Sequence, residues 1–89
     1  MGQAQLYKAD GSVSDIGHKP TYEEMTKAVG GYIEYTKGRD SDGKIVTIVV
    51  NEEGLLQGLP PNSRATEMRT RLYGDSYLVG DAIVMHGWR

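Results

Sequence analysis

The chain has 89 residues, with 10 basic and 12 acidic side chains and no cysteine. That length fits one domain, and the lack of cysteine excludes disulfides, thiolate nucleophiles and cysteine-based metal sites. The net charge of -2 argues against nucleic acid or an anionic membrane as a partner. Residues 1–5 lack the features of a signal peptide, and no apolar run is long enough to span a bilayer. We therefore expect a soluble, cytoplasmic protein of one domain, residues 1–89.

Residues 1–19 predict an N-terminal hairpin. Asp10-Gly11 is a favoured tight-turn pair because glycine accepts a positive φ. Apolar residues precede this turn at Ala4 and Leu6 and follow it at Val13 and Ile16. The hairpin is thus expected to bring the two short segments side by side.

A first helix is predicted from about Tyr22 to Val29. Thr21 can cap its free amides, and Glu24, three residues later, can reach back to the cap. Apolar residues at helical spacing form one stripe that ends at Val29. Gly30 then offers the left-handed conformation that commonly ends a helix.

The period changes to two after this helix, which predicts strands. A short strand covers Tyr32–Thr36, and a polar connector covers Lys37–Gly43. The next segment, Lys44–Val50, is apolar on both faces and rich in β-branched residues, as in a strand covered on both sides. A turn with a bulge is predicted next, with Gly54 at positive φ, before the chain returns as a second apolar strand ending at Leu59.

The last third of the chain predicts a helix and a strand. Two prolines before Asn62 break the sheet, and Asn62 or Ser63 can cap a helix over Arg64–Leu72. Tyr77–His86 follows as a strand with a kink at Gly80-Asp81. The predicted fold class is α+β, a small, mostly antiparallel sheet of about five or six short strands with two short helices.

Several ordered segments resemble the DUF3846 family, small proteins and domains of unknown function encoded by bacteriophages, plasmids and their bacterial hosts. The resemblance covers residues 22–84 and leaves out the N-terminal hairpin and the Gly87-Trp88-Arg89 tail. It implies a phage or mobile-element setting, and it brings no catalytic residues. The segments that carry it are Val29–Glu34, Val49–Pro60 with Asn62, Ala65-Thr66 and Val79–Val84.

The catalytic inventory is poor. His18 and His86 lie far apart in the sequence and lack a close acidic pattern, whereas a typical zinc site needs three protein ligands. The segment Asp40–Gly43 imitates the start of a calcium loop, but Asn51 stands where the bidentate glutamate belongs. Of the two acidic pairs, Glu23-Glu24 is better explained by helix capping, and Glu52-Glu53 by a solvated turn, than by catalysis. We therefore expect no catalytic residue, no metal and no cofactor.

The second helix carries the strongest candidate for a binding site. The helix contains three arginines but only one glutamate, and its N-terminus favours anions. Arginine and tyrosine can hold a phosphate or a nucleotide base, and they can also anchor a protein partner. A solvated helix face that pairs with surface acids explains the same pattern. The candidate ligand- or partner-binding residues are Asn62, Arg64, Arg69, Arg71, Tyr73 and Tyr77.

Six tyrosines and one tryptophan make up the aromatic residues. Tyrosine suits half-buried positions and interfaces, because its ring packs while its hydroxyl stays in water. Tyr32 and Tyr35 fall on opposite faces of one predicted strand, so at least one should face solvent or a partner. Trp88 should be exposed unless it docks on the sheet or on a second subunit. Accessible sheet edges favour a homo-oligomer.

Three functions remain open at this point. The first is a non-enzymatic accessory protein of a phage or mobile element that binds and modulates a host protein in the host cytoplasm. The second is a small-molecule binder that captures a nucleotide-like or phosphorylated ligand with the candidate residues. The third, an enzyme, is disfavoured by the poor catalytic inventory.

Overall fold

A computed structural model describes residues 3–87 of the chain and shows a five-stranded antiparallel sheet with two helices. The predicted α+β class is therefore confirmed, with five strands. Within these residues, no helix combines the length and apolarity needed to cross a bilayer. The elements are β1 (Gln3–Tyr7), β2 (Val13–Asp15), α1 (Tyr22–Val29), β3 (Ile33–Arg39), β4 (Ile45–Asn51), α2 (Ser63–Tyr73) and β5 (Ala82–His86).

The strand order is β2-β1-β5-β4-β3. The last strand, β5, lies between β1 and β4 and pairs antiparallel with both. The N-terminal hairpin β1–β2 and the hairpin β3–β4 are thereby joined into one sheet by the C-terminal strand. This order leaves β2 and β3 as the two edges.

β4 lies at the centre of the core. Val46, Ile48 and Val50 pack on one face together with Met68 of α2. Val49 points to the opposite face, where α1 packs. The prediction of a strand covered on both sides is therefore confirmed, since each helix covers a different face of the sheet.

The predicted cap and the predicted glycine end of the first helix are also confirmed. The Glu24 amide donates to the Thr21 hydroxyl oxygen over 3.1 Å, and the Thr21 amide donates to the Glu24 carboxylate over 2.9 Å. Gly30 ends the helix at φ 81°. The pKa of Glu24 lies below its ordinary value, mainly because the Thr21 amide donates a hydrogen bond to the carboxylate. The contact with His18, at 2.9 Å, lowers the pKa further.

The predicted second strand ending at Leu59 is wrong. Residues 52–58 form consecutive turns, and Leu56 is 87% exposed. β4 already has β3 on one side and β5 on the other. A returning strand would therefore have no free edge of β4 to pair with, which explains why the apolar pattern failed here.

Gly54 was also expected at positive φ, and this is wrong. Gly58 takes that conformation instead, at φ 66°. Gly54 is buried, and a Cβ atom there would come within 2.8 Å of the Val79 side chain. The position therefore requires glycine because of close packing.

Two strand lengths differ from the predictions. β3 continues to Arg39, which pairs with Ile45, so the first three residues of the predicted polar connector belong to the strand. The last strand begins only at Ala82. Before it, Val79 makes an isolated bridge to Pro61, and Gly80 lies at φ 77°. The predicted kink at Gly80-Asp81 therefore interrupts the pairing altogether.

Candidate binding surface

Asn62 has a structural role at the start of α2. Its side chain is the N-cap of α2, accepting from the Ala65 amide over 3.1 Å. Its amide nitrogen donates to the carbonyl oxygens of Tyr7, over 2.9 Å, and Gly80, over 2.8 Å. The residue is 1% exposed. Asn62 thus ties α2 to β1 and to the segment before β5, and it has no surface left to contact a ligand.

Arg64 and Arg71 line one open groove of about 960 Å³, here called the arginine groove. Arg64 Nε donates to the Gly11 carbonyl over 3.1 Å. Arg71 pairs with Glu67 at 2.5 Å, one turn away on α2. The same groove is lined by Lys44 and by the acids Asp40, Asp42 and Glu67. The three carboxylates balance the three cations, so the groove has no net positive charge.

Asp40 organises the turn at the edge of the arginine groove. Its Oδ1 accepts from the amides of Asp42 and Lys44, both over 2.9 Å. The hydrogen bond from Lys44 is the main reason that the pKa of Asp40 lies below its ordinary value. His86 Nδ1 lies 3.6 Å from Asp40 Oδ2. These contacts are typical of an ordinary turn that ends at Gly43, rather than of the calcium loop that the segment Asp40–Gly43 imitates.

The two histidines belong to separate pairs. His18 contacts Glu24 at the start of α1, while His86 lies beside Asp40 at the end of β5. Among residues 3–87, no group of three or more His, Cys, Asp and Glu side chains could hold a metal ion.

Arg69 and Tyr77 line a different cavity. This α2-face pocket has a volume of about 420 Å³ and lies against β3 on the side covered by α2. Arg69 donates to the Thr36 hydroxyl oxygen and lies over the Tyr73 ring, 4.9 Å from its centroid. Glu34 of β3 also lines the pocket. The six candidate residues therefore do not converge on one site: one is buried and the others divide between two cavities and the Tyr73 stack.

A third cavity, which was not predicted from the sequence, lies on the opposite face of β3. This α1-face pocket has a volume of about 390 Å³. Apolar side chains from Pro20, Met25, Tyr35 and Met85 line it, and Lys37 lies at its rim. The one sequence feature that pointed to this pocket was the alternation of side chains between the two faces of β3, which places Tyr35 on the face that α1 covers. The pocket itself also needs Pro20 and Met85, which are distant in the sequence.

Most of the tyrosine side chains are exposed. Five of the six tyrosines are 56–69% exposed, and Tyr32 and Tyr35 are both among them. The prediction that at least one of these two faces solvent is confirmed. Trp88, for which exposure or docking was predicted, lies outside the described residues.

The fold defines a small α+β domain. A model of the family described as "Domain of unknown function (DUF3846)" matches residues 6–87. The chain therefore belongs to the DUF3846 family. The match includes most of the N-terminal hairpin and Gly87, and so extends beyond residues 22–84, where the resemblance was recognised. No curated protein and no solved structure gives a significant match.

Proposed function

We propose that this protein is a non-enzymatic accessory protein that binds another protein and modulates it. The observation that carries the proposal is the exposure of five of the six tyrosines, one of which stacks with Arg69. Tyrosine and arginine are the side chains most enriched in the energetic centres of protein interfaces. Single exposed apolar residues are ordinary, but this many large rings in water on so small a domain favour a partner.

The non-enzymatic part of the proposal is supported by how the titratable side chains are used. Glu24 completes a helix cap with Thr21, and Asp40 accepts two turn amides. Asp10 is the third carboxylate with a lowered pKa, and hydrogen bonds from the Ser12 side chain and backbone explain it. Each of these three carboxylates thus has a local structural role. A general acid or base needs a pKa near the operating pH and a position beside the substrate.

The setting follows from the family resemblance, which implies phages, plasmids and their bacterial hosts. In that setting the protein acts in the host cytoplasm and its partner is a host protein. The net charge of -2 favours a protein partner over nucleic acid or an anionic membrane.

A pull-down from host lysate tests this function. We expect one host protein to be recovered in stoichiometric amount with the wild-type chain and lost with Tyr77→Ala. Leu56→Ala is the matched control, because Leu56 is also exposed but lies in the turns after β4 and lines neither the arginine groove nor the two pockets. Recovery of no stoichiometric protein would contradict the proposal, and so would equal loss with both variants.

The second candidate is capture of a nucleotide-like or phosphorylated ligand. The observation behind it is that Arg64, Arg71 and Lys44 line one groove, where a phosphate would compete with Asp40, Asp42 and Glu67 for these cations. Native mass spectrometry of the protein from its own host should then show a retained ligand that Arg64→Ala weakens. Arg69→Ala is the control, because Arg69 lines the other cavity. An equal effect of the two variants, or no retained ligand, would count against this candidate.

A further inference from the structure

The two edges of the sheet differ in how much backbone they offer. β2 has three residues, whereas β3 has seven and pairs only with β4. An edge strand presents a row of N–H and C=O groups to which another chain can add a strand. The longer edge, β3, therefore offers more backbone groups for strand addition than β2 does.

The register determines which β3 groups point outward. The Glu52 amide donates to the Tyr32 carbonyl over 2.8 Å, and the Asp40 amide donates to the Lys44 carbonyl over 2.9 Å. Both bonds continue the β3–β4 register, so the even-numbered β3 residues direct their amides and carbonyls towards β4. Odd-numbered residues alternate with them and direct theirs away from the sheet.

Part of this outer row is already occupied. The Arg39 carbonyl accepts from Arg71 Nη1 over 3.3 Å, which closes the row at its C-terminal end. Within the described part of the chain, the backbone groups of Tyr35 and Lys37 have no such partner. The open segment runs from Ile33 to Lys37, and it is here called the β3 edge.

A pocket lies on each face of the sheet beside the β3 edge, and Tyr35 and Thr36 line both. Strand addition combines main-chain hydrogen bonds with pockets that receive alternate side chains. The α1-face pocket is lined by Met25 and Met85 and bordered by Lys19 and Lys37. It thus suits an apolar side chain with a carboxylate beside it.

We propose that the β3 edge binds an extended segment of the partner protein, which adds to the sheet as a sixth strand. Every second side chain of the added strand faces α1, and of these one is apolar and enters the α1-face pocket while a neighbour two residues along is acidic and lies near Lys19 and Lys37. This inference rests on the proposed function, because it names the kind of segment that the partner contributes.

A second copy of this chain fits the β3 edge less well. α2 lies directly on β3, so close that a Cβ atom on Gly38 would be 2.7 Å from the Met68 backbone. Antiparallel pairing of two β3 strands would set them about 4.8 Å apart, with both α2 helices on the same face. Packed helices need about 8–10 Å between their axes. An extended segment without a helix avoids this clash.

Amide hydrogen exchange on the free protein tests whether the edge is open. We expect the amides of Tyr35 and Lys37 to exchange at least about tenfold faster than that of Thr36, which points to β4. Slow exchange at Tyr35 and Lys37 would overturn the proposal. If the solution mass were then twice that of one chain, a second copy would be the occupant instead.

Binding is tested with a synthetic, end-blocked peptide in which valine and glutamate take turns at every second position and threonine fills the positions between them. It should slow exchange at Tyr35 and Lys37, and a version with a central proline should not. Lys37→Pro should bind the peptide about tenfold more weakly than Lys37→Ala, because it also removes one outward N–H. Neither variant loses a backbone hydrogen bond between β3 and β4, and both lose the bond from Lys37 Nζ to Thr47 Oγ1 equally.

Equal affinity of Lys37→Pro and Lys37→Ala for the peptide, or no binding by the wild-type chain, would overturn strand addition at the β3 edge. The same pair of variants is then applied to the host protein from the pull-down. If both variants still capture that protein equally, the proposed function stands and only the edge assignment fails. If no host protein is captured at all, the proposed function fails by itself.

Discussion

β3 and β4 are adjacent strands of equal length that pair residue by residue, yet their environments are opposite. Six of the seven β4 residues are buried, whereas in β3 only Gly38 is. β4 has a strand on each side and a helix on each face. β3 has one neighbouring strand, and α2 covers one of its faces. The difference shows that the position of a strand in the sheet, more than its length, decides whether its side chains are buried or exposed.

The largest expected effect is on β4. Ile48→Ala should lower the free energy of unfolding by about 2–5 kcal/mol, because Ile48 is fully buried and a cavity would remain. Tyr35→Ala on β3 is the matched control. It should change stability by no more than about 0.5 kcal/mol, because its side chain is 56% exposed. Urea unfolding followed by circular dichroism measures both. Similar losses for the two variants would break the contrast between the strands.

Gly38→Ala is expected to have an intermediate effect, and it shows where β3 resembles β4. The added Cβ would lie 2.7 Å from the Met68 backbone and 2.9 Å from the Ile48 side chain. Overpacking of this kind costs about 1–3 kcal/mol. Thermal unfolding should show the loss, whereas the exposed neighbour Lys37→Ala should leave the midpoint nearly unchanged. An unchanged midpoint for Gly38→Ala would mean that α2 can move away from β3 without cost.

The smallest effect is expected at the start of α1, on the face of the sheet where β3 is least covered. The folded-state pKa of Glu24 is lowered, so its charge stabilises the fold above its ordinary pKa of 4.5. That contribution is lost as the pH falls through the lower folded value. Glu24→Gln keeps the reach to Thr21 and loses the charge. It should therefore be slightly less stable than the wild type at neutral pH.

The stability difference should shrink below pH 4.5 and vanish in stronger acid. Melting temperatures across this range measure it. Glu23→Gln removes a charge from the adjacent residue without touching the cap, so the gap between the two variants isolates the cap. A pH-independent gap would show that the charge of Glu24 does not stabilise the cap.

Several features of the fold could be predicted because the signal and its cause are neighbours in the chain. The Thr21–Glu24 cap and the glycine end at Gly30 involve residues within one or two helical turns. The turn at Asp10-Gly11 is equally local, and the apolar composition of β4 indicates burial on both faces.

The failed predictions share a different cause. Leu55 and Leu56 carry an apolar pattern, but the sides of β4 were taken by β3 and β5, and β5 comes from the far end of the chain. The candidate site failed to converge for a related reason. The cap at Asn62 was predicted correctly, but its burial was not, because its partners Tyr7 and Gly80 are remote in the sequence.

The sequence by itself determined the fold class, both helix starts, the central strand and, through its ordered segments, the family. These depend on local hydrogen bonds and on composition, which a linear pattern contains. Only the tertiary structure decided that β5 enters between β1 and β4, that α2 rests on β3, and that a pocket lies on each side of the β3 edge. Those features depend on contacts between distant segments, which form only when the chain closes on itself.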